Sequence, residues 1–136
     1  YRDYPAVNAL MTRGCPGKCT FCNSAKTVLR SRSPRSMVDL LKFLRNEYNI
    51  RQVTFYDDTF TANIKVVKEF CRLLKEERLD LSFVCYARGD MFSDELASLL
   101  AGAGCHHVLF GIESGSSTLM AQIGKPIDKE RYRLAV

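Results

Sequence analysis

The chain carries the run Ala6-Val7-Asn8-Ala9-Leu10-Met11-Thr12-Arg13-Gly14-Cys15-Pro16-Gly17-Lys18-Cys19-Thr20-Phe21-Cys22, a short apolar stretch followed at once by a loop with three cysteines. The apolar part, Ala6 to Met11, reads as a strand. The cysteines are spaced C-x3-C-x2-C, with no fourth cysteine or histidine nearby. A structural zinc site wants four protein ligands in a tetrahedron. A cubane iron–sulfur cluster has four irons, each needing one outer ligand, usually a cysteine thiolate. Three thiolates on one loop therefore point to a cubane with one iron left open for a ligand that is not protein.

Working outward from that loop, strands and helices alternate four times. Ser33-Pro34 offers an N-cap followed by proline at the first helical position, while Ser36 and Asp39 offer a competing capping box. Met37, Leu40, Leu41 and Leu44 then recur at helical spacing. Gln52 to Tyr56 is β-branched and aromatic, a second strand. Asn63 to Arg78 predicts a second amphipathic helix with Ile64, Val67, Phe70, Cys71 and Leu74 on its buried stripe and Lys75 to Arg78 as a solvated last turn. Leu81 to Tyr86 is the third strand. Ser93 caps a third helix, with Asp94 and Glu95 in its first turn and Leu96, Leu99, Leu100 and Ala103 packing, and Gly104 ends it. His107 to Ile112 is the fourth strand, placing His106 and His107 away from the site. Ser116 to Ile123 is a short helix stopped by Gly124 and Pro126, and Asp128 to Val136 begins another helical pattern.

This order predicts a parallel sheet and an α/β fold, a partial parallel (β/α) barrel of about four βα units. The near-continuous apolar strands agree, because parallel sheets are buried on both faces. At 136 residues the chain is one globular unit, short for a complete barrel, and we read it as the amino-terminal part of a larger one, cut within a helix. No apolar run is long enough to span a bilayer and no signal peptide is evident. The formal charge of +5 fits solubility as well as an anionic ligand. Three cysteines are crowded into one loop while Cys71, Cys85 and Cys105 are scattered among apolar residues. That pattern predicts a reducing, cytoplasmic compartment rather than a disulfide framework.

Ligands of parallel α/β folds bind beyond the carboxyl ends of the strands. The first strand leads into the cysteine loop and the second into Tyr56-Asp57-Asp58-Thr59-Phe60-Thr61. The third leads into Ala87-Arg88-Gly89-Asp90 and the fourth into Gly111-Ile112-Glu113-Ser114-Gly115. Charged or small polar residues thus follow every strand, and the fold would gather them on one face.

The cysteine run with Phe21 before Cys22, then Arg30-Ser31-Arg32-Ser33-Pro34, Phe55 to Thr61 and Phe110 to Gly115, resembles the radical S-adenosylmethionine (radical SAM) superfamily over essentially the whole chain. It is similar in particular to the branch of cobalamin-binding radical SAM enzymes and anaerobic magnesium-protoporphyrin monomethyl ester cyclases, and more distantly to methylthiotransferases. The resemblance implies that Cys15, Cys19 and Cys22 hold a 4Fe–4S cluster whose open iron is chelated by S-adenosyl-L-methionine. Reductive cleavage of that cofactor would release a deoxyadenosyl radical that takes hydrogen from a substrate, for methylation, cyclisation or methylthiolation. It implies Asp57 and Asp58 near the methionyl ammonium, Arg88 near its carboxylate, Glu113 and Ser114 near the ribose or methionine part, and Phe21 beside adenine. It implies a small-molecule substrate and an electron donor such as flavodoxin or ferredoxin, with cobalamin a candidate in the full-length protein. The later strands of the barrel would lie beyond Val136.

Plainer readings stand beside these. Asp58 and Thr61 would cap the following helix, Arg88 would pair with Asp90 or Glu113, and Phe21 would be a core residue. Lys18 and Arg13 would help hold a negative cluster, or be surface cations. A non-catalytic zinc- or iron–sulfur-binding module would need a fourth ligand from Cys71, Cys85 or a partner chain. An RNA-modifying methylthiotransferase-type enzyme would use the basic stretch Lys26 to Arg35, the one local feature that favours nucleic acid.

Overall fold

In the computed structural model, which describes residues 2–125 and 129–135, β1 (Ala6–Ala9) leaves its sheet into a small ribbon of β2 (Thr12–Arg13) and β3 (Arg30–Ser31). There follow α1 (Pro34–Tyr48), β4 (Gln52–Phe55), α2 (Ile64–Glu76), β5 (Ser82–Ala87), α3 (Asp94–Gly102), β6 (Cys105–Phe110), α4 (Ser117–Gln122) and α5 (Lys129–Ala135). The large strands form one parallel sheet in the order β1-β4-β5-β6. Chain order equals spatial order, as in a barrel laid open at both edges. The ribbon pairs antiparallel, outside that sheet. No helix among the described residues is long and apolar enough to cross a membrane.

The helices start where the sequence says they should. Ser33 Oγ accepts from the Ser36 N–H with Pro34 in the first turn, so the Ser33 cap prevails over the Ser36–Asp39 box. Ser93 caps α3 and Ser116 caps α4 in the same way. At the start of α2 the cap is Asn63, whose Oδ1 accepts from Val66 N–H. Asp58 and Thr61 therefore do not cap it.

The core lies between the sheet and its helices. Val53 and Phe55 of β4, Phe83 and Cys85 of β5 and Val67, Phe70, Cys71 and Leu74 of α2 are all buried there. Phe55 is its centre: its ring centroid is 4.9 Å from that of Phe60, 5.5 Å from Phe70 and 5.7 Å from Phe83. Such edge and tilted contacts stabilise beyond the area they bury. Three expectations change. Ile64, placed on the α2 stripe, is 41% exposed because it sits in the first turn, beyond the sheet's cover. Glu77 is not simply solvated, for it accepts from Arg35 Nη1 (2.6 Å) and Lys42 Nζ (2.7 Å) and ties α2 to α1. The fourth strand, expected over His107 to Ile112, runs instead from Cys105 to Phe110, so His106 lies inside β6 beside His107. His106 borders a cavity with Arg2 and Asp3 at the opposite end from the cysteine loop. Pro126, Asp128 and Val136 lie outside the described residues.

Phe55→Ala should cost about 4 kcal/mol, as for other fully buried aromatic residues. A urea midpoint that hardly moves would show that the four-ring cluster is not the core's centre.

Candidate active site

The cysteine loop begins where β1 ends, and a buried carboxylate fixes that exit. Asp57, two residues past β4, is 2% exposed. Its Oδ2 accepts from Met11 N–H at 3.2 Å, and its Oδ1 accepts from Thr12 Oγ1 at 2.7 Å and from the Thr12 N–H. Burial pushes this carboxyl above the ordinary carboxylate range, and the three donors pull it part of the way back. With its donors all supplied by the chain, the Asp57 carboxylate is not open to a ligand's ammonium. The side chain holds the loop instead. Asp58 does similar work one step out, its Oδ2 accepting from Gly14 N–H at 3.2 Å.

Past Arg13 the chain must turn sharply, and Gly14 does so with φ +89, where a side chain would strike the Val28 carbonyl. The far side of the loop is then stitched to the near side. Cys15 N–H donates to Thr27 Oγ1 (3.0 Å), Lys26 N–H to Gly17 O (2.8 Å) and Cys22 N–H to Cys19 O (3.3 Å). Thr20 N–H reaches Ile123 O at 2.9 Å, seating the loop on the end of α4.

The sulfurs of Cys15 and Cys19 sit on either side of Gly17. A methyl group there would stand 3.2 Å from Cys15 Sγ, 4.0 Å from Cys19 Sγ and 3.0 Å from Arg88 Nη1. Gly17 N–H donates to Cys15 Sγ at 3.4 Å, and Arg88 Nη1 donates to Cys19 Sγ at 3.8 Å. Cys15 Sγ is also 3.5 Å from Thr59 Oγ1, which itself donates to Asp58 O. In the thiol form the chain of bonds runs from Cys15 S–H through Thr59 to that carbonyl. A thiolate would instead take the Thr59 proton. Cys15 is buried, Cys19 half-buried and Cys22 exposed.

Arg88 is held in place by a bidentate pair with Asp90, Nε to Oδ1 at 3.0 Å and Nη2 to Oδ2 at 2.8 Å. That bond above all holds its guanidinium charged. Of the alternatives for Arg88, the pair with Asp90 is present and a pair with Glu113 is not. Glu113 receives Lys125 Nζ at 2.8 Å, and the same Nζ donates to Gly111 O at 2.7 Å. Glu113 is exposed, with φ +62, so its side chain does not carry the burial cost that would demand a ligand. Lys125 is the buried member, at 6% exposure, and the sequence reading passed over it. Its one signal was a lysine between a helix-ending glycine and a proline. Ser114 Oγ accepts from Ser116 N–H at 3.1 Å, and Phe21 is 56% exposed, not a core residue.

Three thiols on one loop, two of them already receiving N–H donors, fit an iron–sulfur cluster, whose sulfurs take such bonds. Among the described residues no three His, Cys, Asp or Glu side chains stand close enough to hold a single metal ion. Cys71 and Cys85, the candidate fourth zinc ligands, are fully buried in the core. Burial pushes the Cys71 thiol up to about 12, and Cys85 is raised by its bond with Cys105 and by burial.

The chain belongs to the radical SAM superfamily, whose sequence model matches residues 10–136. It is 36% identical over 125 residues to an uncharacterized methyltransferase of Pyrococcus horikoshii, covering 90% of this chain and 27% of that protein. It is 34% identical over 124 residues to cytidylyl-2-hydroxyethylphosphonate methyltransferase of Streptomyces wedmorensis, covering 88% of this chain and 23% of that one. Its fold matches that of the radical S-adenosylmethionine methyltransferase TsrM from Kitasatospora setae, solved with cobalamin and a 4Fe–4S cluster bound. There the TM-score is 0.84 at 23% identity, over 94% of this chain and 27% of that one. The chain spans about a quarter of the length of the curated relatives it matches.

Asp57→Ala leaves two N–H groups and a hydroxyl without their acceptor and should cost about 3 kcal/mol in urea unfolding. Asp57→Asn supplies the pH test. The native chain binds the Asp57 proton more tightly than the unfolded chain does, so this stabilisation is complete at low pH and is lost as pH rises through the native pKa. The stability of the unmodified protein relative to Asp57→Asn should fall from about pH 4 upward. A rise would mean that the carboxylate, not the acid, is the favoured form.

Proposed function

We propose that the chain is the cluster-bearing, amino-terminal part of the barrel of a radical SAM enzyme acting on a small molecule. Cys15, Cys19 and Cys22 would hold a 4Fe–4S cluster. The observation that carries this reading is the set of donors directed at the thiols: Gly17 N–H and Arg88 Nη1, with the Thr59 hydroxyl beside Cys15. Held there, a reduced cluster would supply the electron for reductive cleavage of S-adenosyl-L-methionine and so for radical chemistry on the substrate. Hydrogen bonds to sulfur draw electron density from a cluster and raise its potential. Arg88 would do so through Cys19, from a position that Asp90 fixes. Lys125 holds the Gly111–Ser114 turn, leaving Glu113 and Ser114 at the rim where a cofactor's polar groups would meet them. Asp58 and the exposed ring of Phe21 complete that rim. Tyr56 and Tyr86, with ring centroids 5.7 Å apart, pave the sheet surface beside it.

Relatives named as methyltransferases support methyl transfer to a small molecule as the outcome, and cobalamin is then a second cofactor of the whole protein. Cyclisation is the alternative, favoured by 29% identity to the anaerobic magnesium-protoporphyrin IX monomethyl ester cyclase of Rubrivivax gelatinosus. A cytoplasmic setting follows from chemistry that needs reduced thiols.

Anaerobic reconstitution with iron and sulfide should give a cluster whose electron paramagnetic resonance signal shifts when S-adenosylmethionine is added. Cys19→Ala should abolish iron uptake, and Arg88→Met should retain the cluster at a lower potential in a redox titration. Stoichiometric zinc without iron, or unaltered iron in Cys19→Ala, would refute the assignment.

A further inference from the structure

From Arg13 to Arg32 the chain carries five cations, Arg13, Lys18, Lys26, Arg30 and Arg32, and no Asp or Glu. The ribbon concentrates three of them. Arg13 lies directly opposite Arg30 in the β2–β3 pairing, and such neighbours point to the same side of the ribbon. Arg32 follows two residues on, with its N–H bonded to Met11 O at 2.8 Å. Like charges facing each other across a pair of strands destabilise it. All three arginines are exposed, and among the described residues none has an ion-pair partner within 4 Å. Most other arginines on the surface do have one: Arg35, Arg45, Arg51, Arg72 and Arg133 each meet a carboxylate. Asp58 borders the same groove as Arg30, yet accepts from Gly14 N–H. Arg13 and Arg32 border a cavity of about 620 Å³ that runs along the free edge of β1 to Tyr56.

We infer that the Arg13–Arg30–Arg32 ribbon is a docking face for an acidic, low-potential one-electron carrier protein. The inference rests on the proposed function, which requires an electron from outside. The carrier is oxidised by one electron and the cluster reduced by one, with no bond or proton changing hands at the ribbon. Three features favour such a partner. The ribbon forms the neck of the cysteine loop, so a protein bound there lies beside the thiolates. The patch is compact, in keeping with the small interfaces of electron-transfer encounters. Unpaired surface arginines speed association with an acidic partner without fixing it tightly, as turnover of a carrier demands. A nucleic acid strand asks for a longer basic track.

The test uses the protein with its reconstituted cluster, and the apoprotein alongside it. Flavodoxin is the probe, with binding read from its flavin fluorescence and cluster reduction by stopped-flow absorbance. Photoreduced 5-deazaflavin serves as a small donor that needs no docking face. The Arg30→Glu, Arg32→Glu double variant should bind flavodoxin about tenfold more weakly at low ionic strength and lose most of the salt dependence. Its cluster should still be reduced by deazaflavin at the unmodified rate. Arg78→Glu, at the far end of α2, should change neither. Unchanged flavodoxin binding in the double variant overturns the docking face. So does a cluster that deazaflavin no longer reduces, since the arginines would then serve the cluster itself. Tight, salt-dependent binding of a single-stranded RNA in place of flavodoxin overturns it in favour of nucleic acid. Failure of the unmodified protein to take up iron would count against the proposed function alone, because flavodoxin binding is also read on the apoprotein.

Discussion

The carboxylate of Asp57 joins the two halves of this molecule. It stands just past the end of β4 and takes three hydrogen bonds from Met11 and Thr12, where β1 has left the sheet. β1 and β4 are neighbours through their backbone pairing, but that ladder stops at Ala9 and Phe55. Beyond it the Asp57 side chain, with Asp58 one step out, ties the departing chain back to the end of β4. The cost of burying the carboxyl is met by donors that would otherwise have no acceptor. Removing either side leaves the other unsatisfied.

The same device recurs around the strand-end face. Asp58 holds Gly14, Asp90 holds Arg88, and Lys125 holds Gly111 and Glu113. Asp57, Asp58 and Lys125 each fasten a loop that follows a strand to another segment, while the Arg88–Asp90 pair stiffens its own loop. Polar groups that looked like ligand contacts are in this way committed to shaping the site. Beside these fastenings the ring of Phe21 stands exposed.

The face of the sheet beneath α2 is built for a different purpose. Aromatic rings at Phe55, Phe60, Phe70 and Phe83 interlock under α2, and Cys71 and Cys85 pack there as small apolar side chains. Cys71 and Cys85 thus differ in setting from the cysteines of the loop. Thiols raised far above neutrality in the core are inert, while Cys15 and Cys19 of the loop each receive an N–H donor.

Local signals made the fold legible in the sequence. Ser33-Pro34, Ser93 and Ser116 announced helix starts, the apolar runs at Ala6, Gln52 and Leu81 announced strands, and the cysteine spacing announced the loop, because capping, periodicity and thiol chemistry each act within a few residues. The α/β order and the parallel sheet followed. Tertiary structure alone decided which carboxylate was free and which was committed, since that depends on partners up to 46 residues away, as with Met11 and Asp57. It decided that Glu113 faces solvent while Lys125 is buried, and that Ile64 leaves the stripe its spacing had given it. It also brought Arg13 opposite Arg30, a pairing no local rule could foresee, because strand register is settled by the whole loop between them.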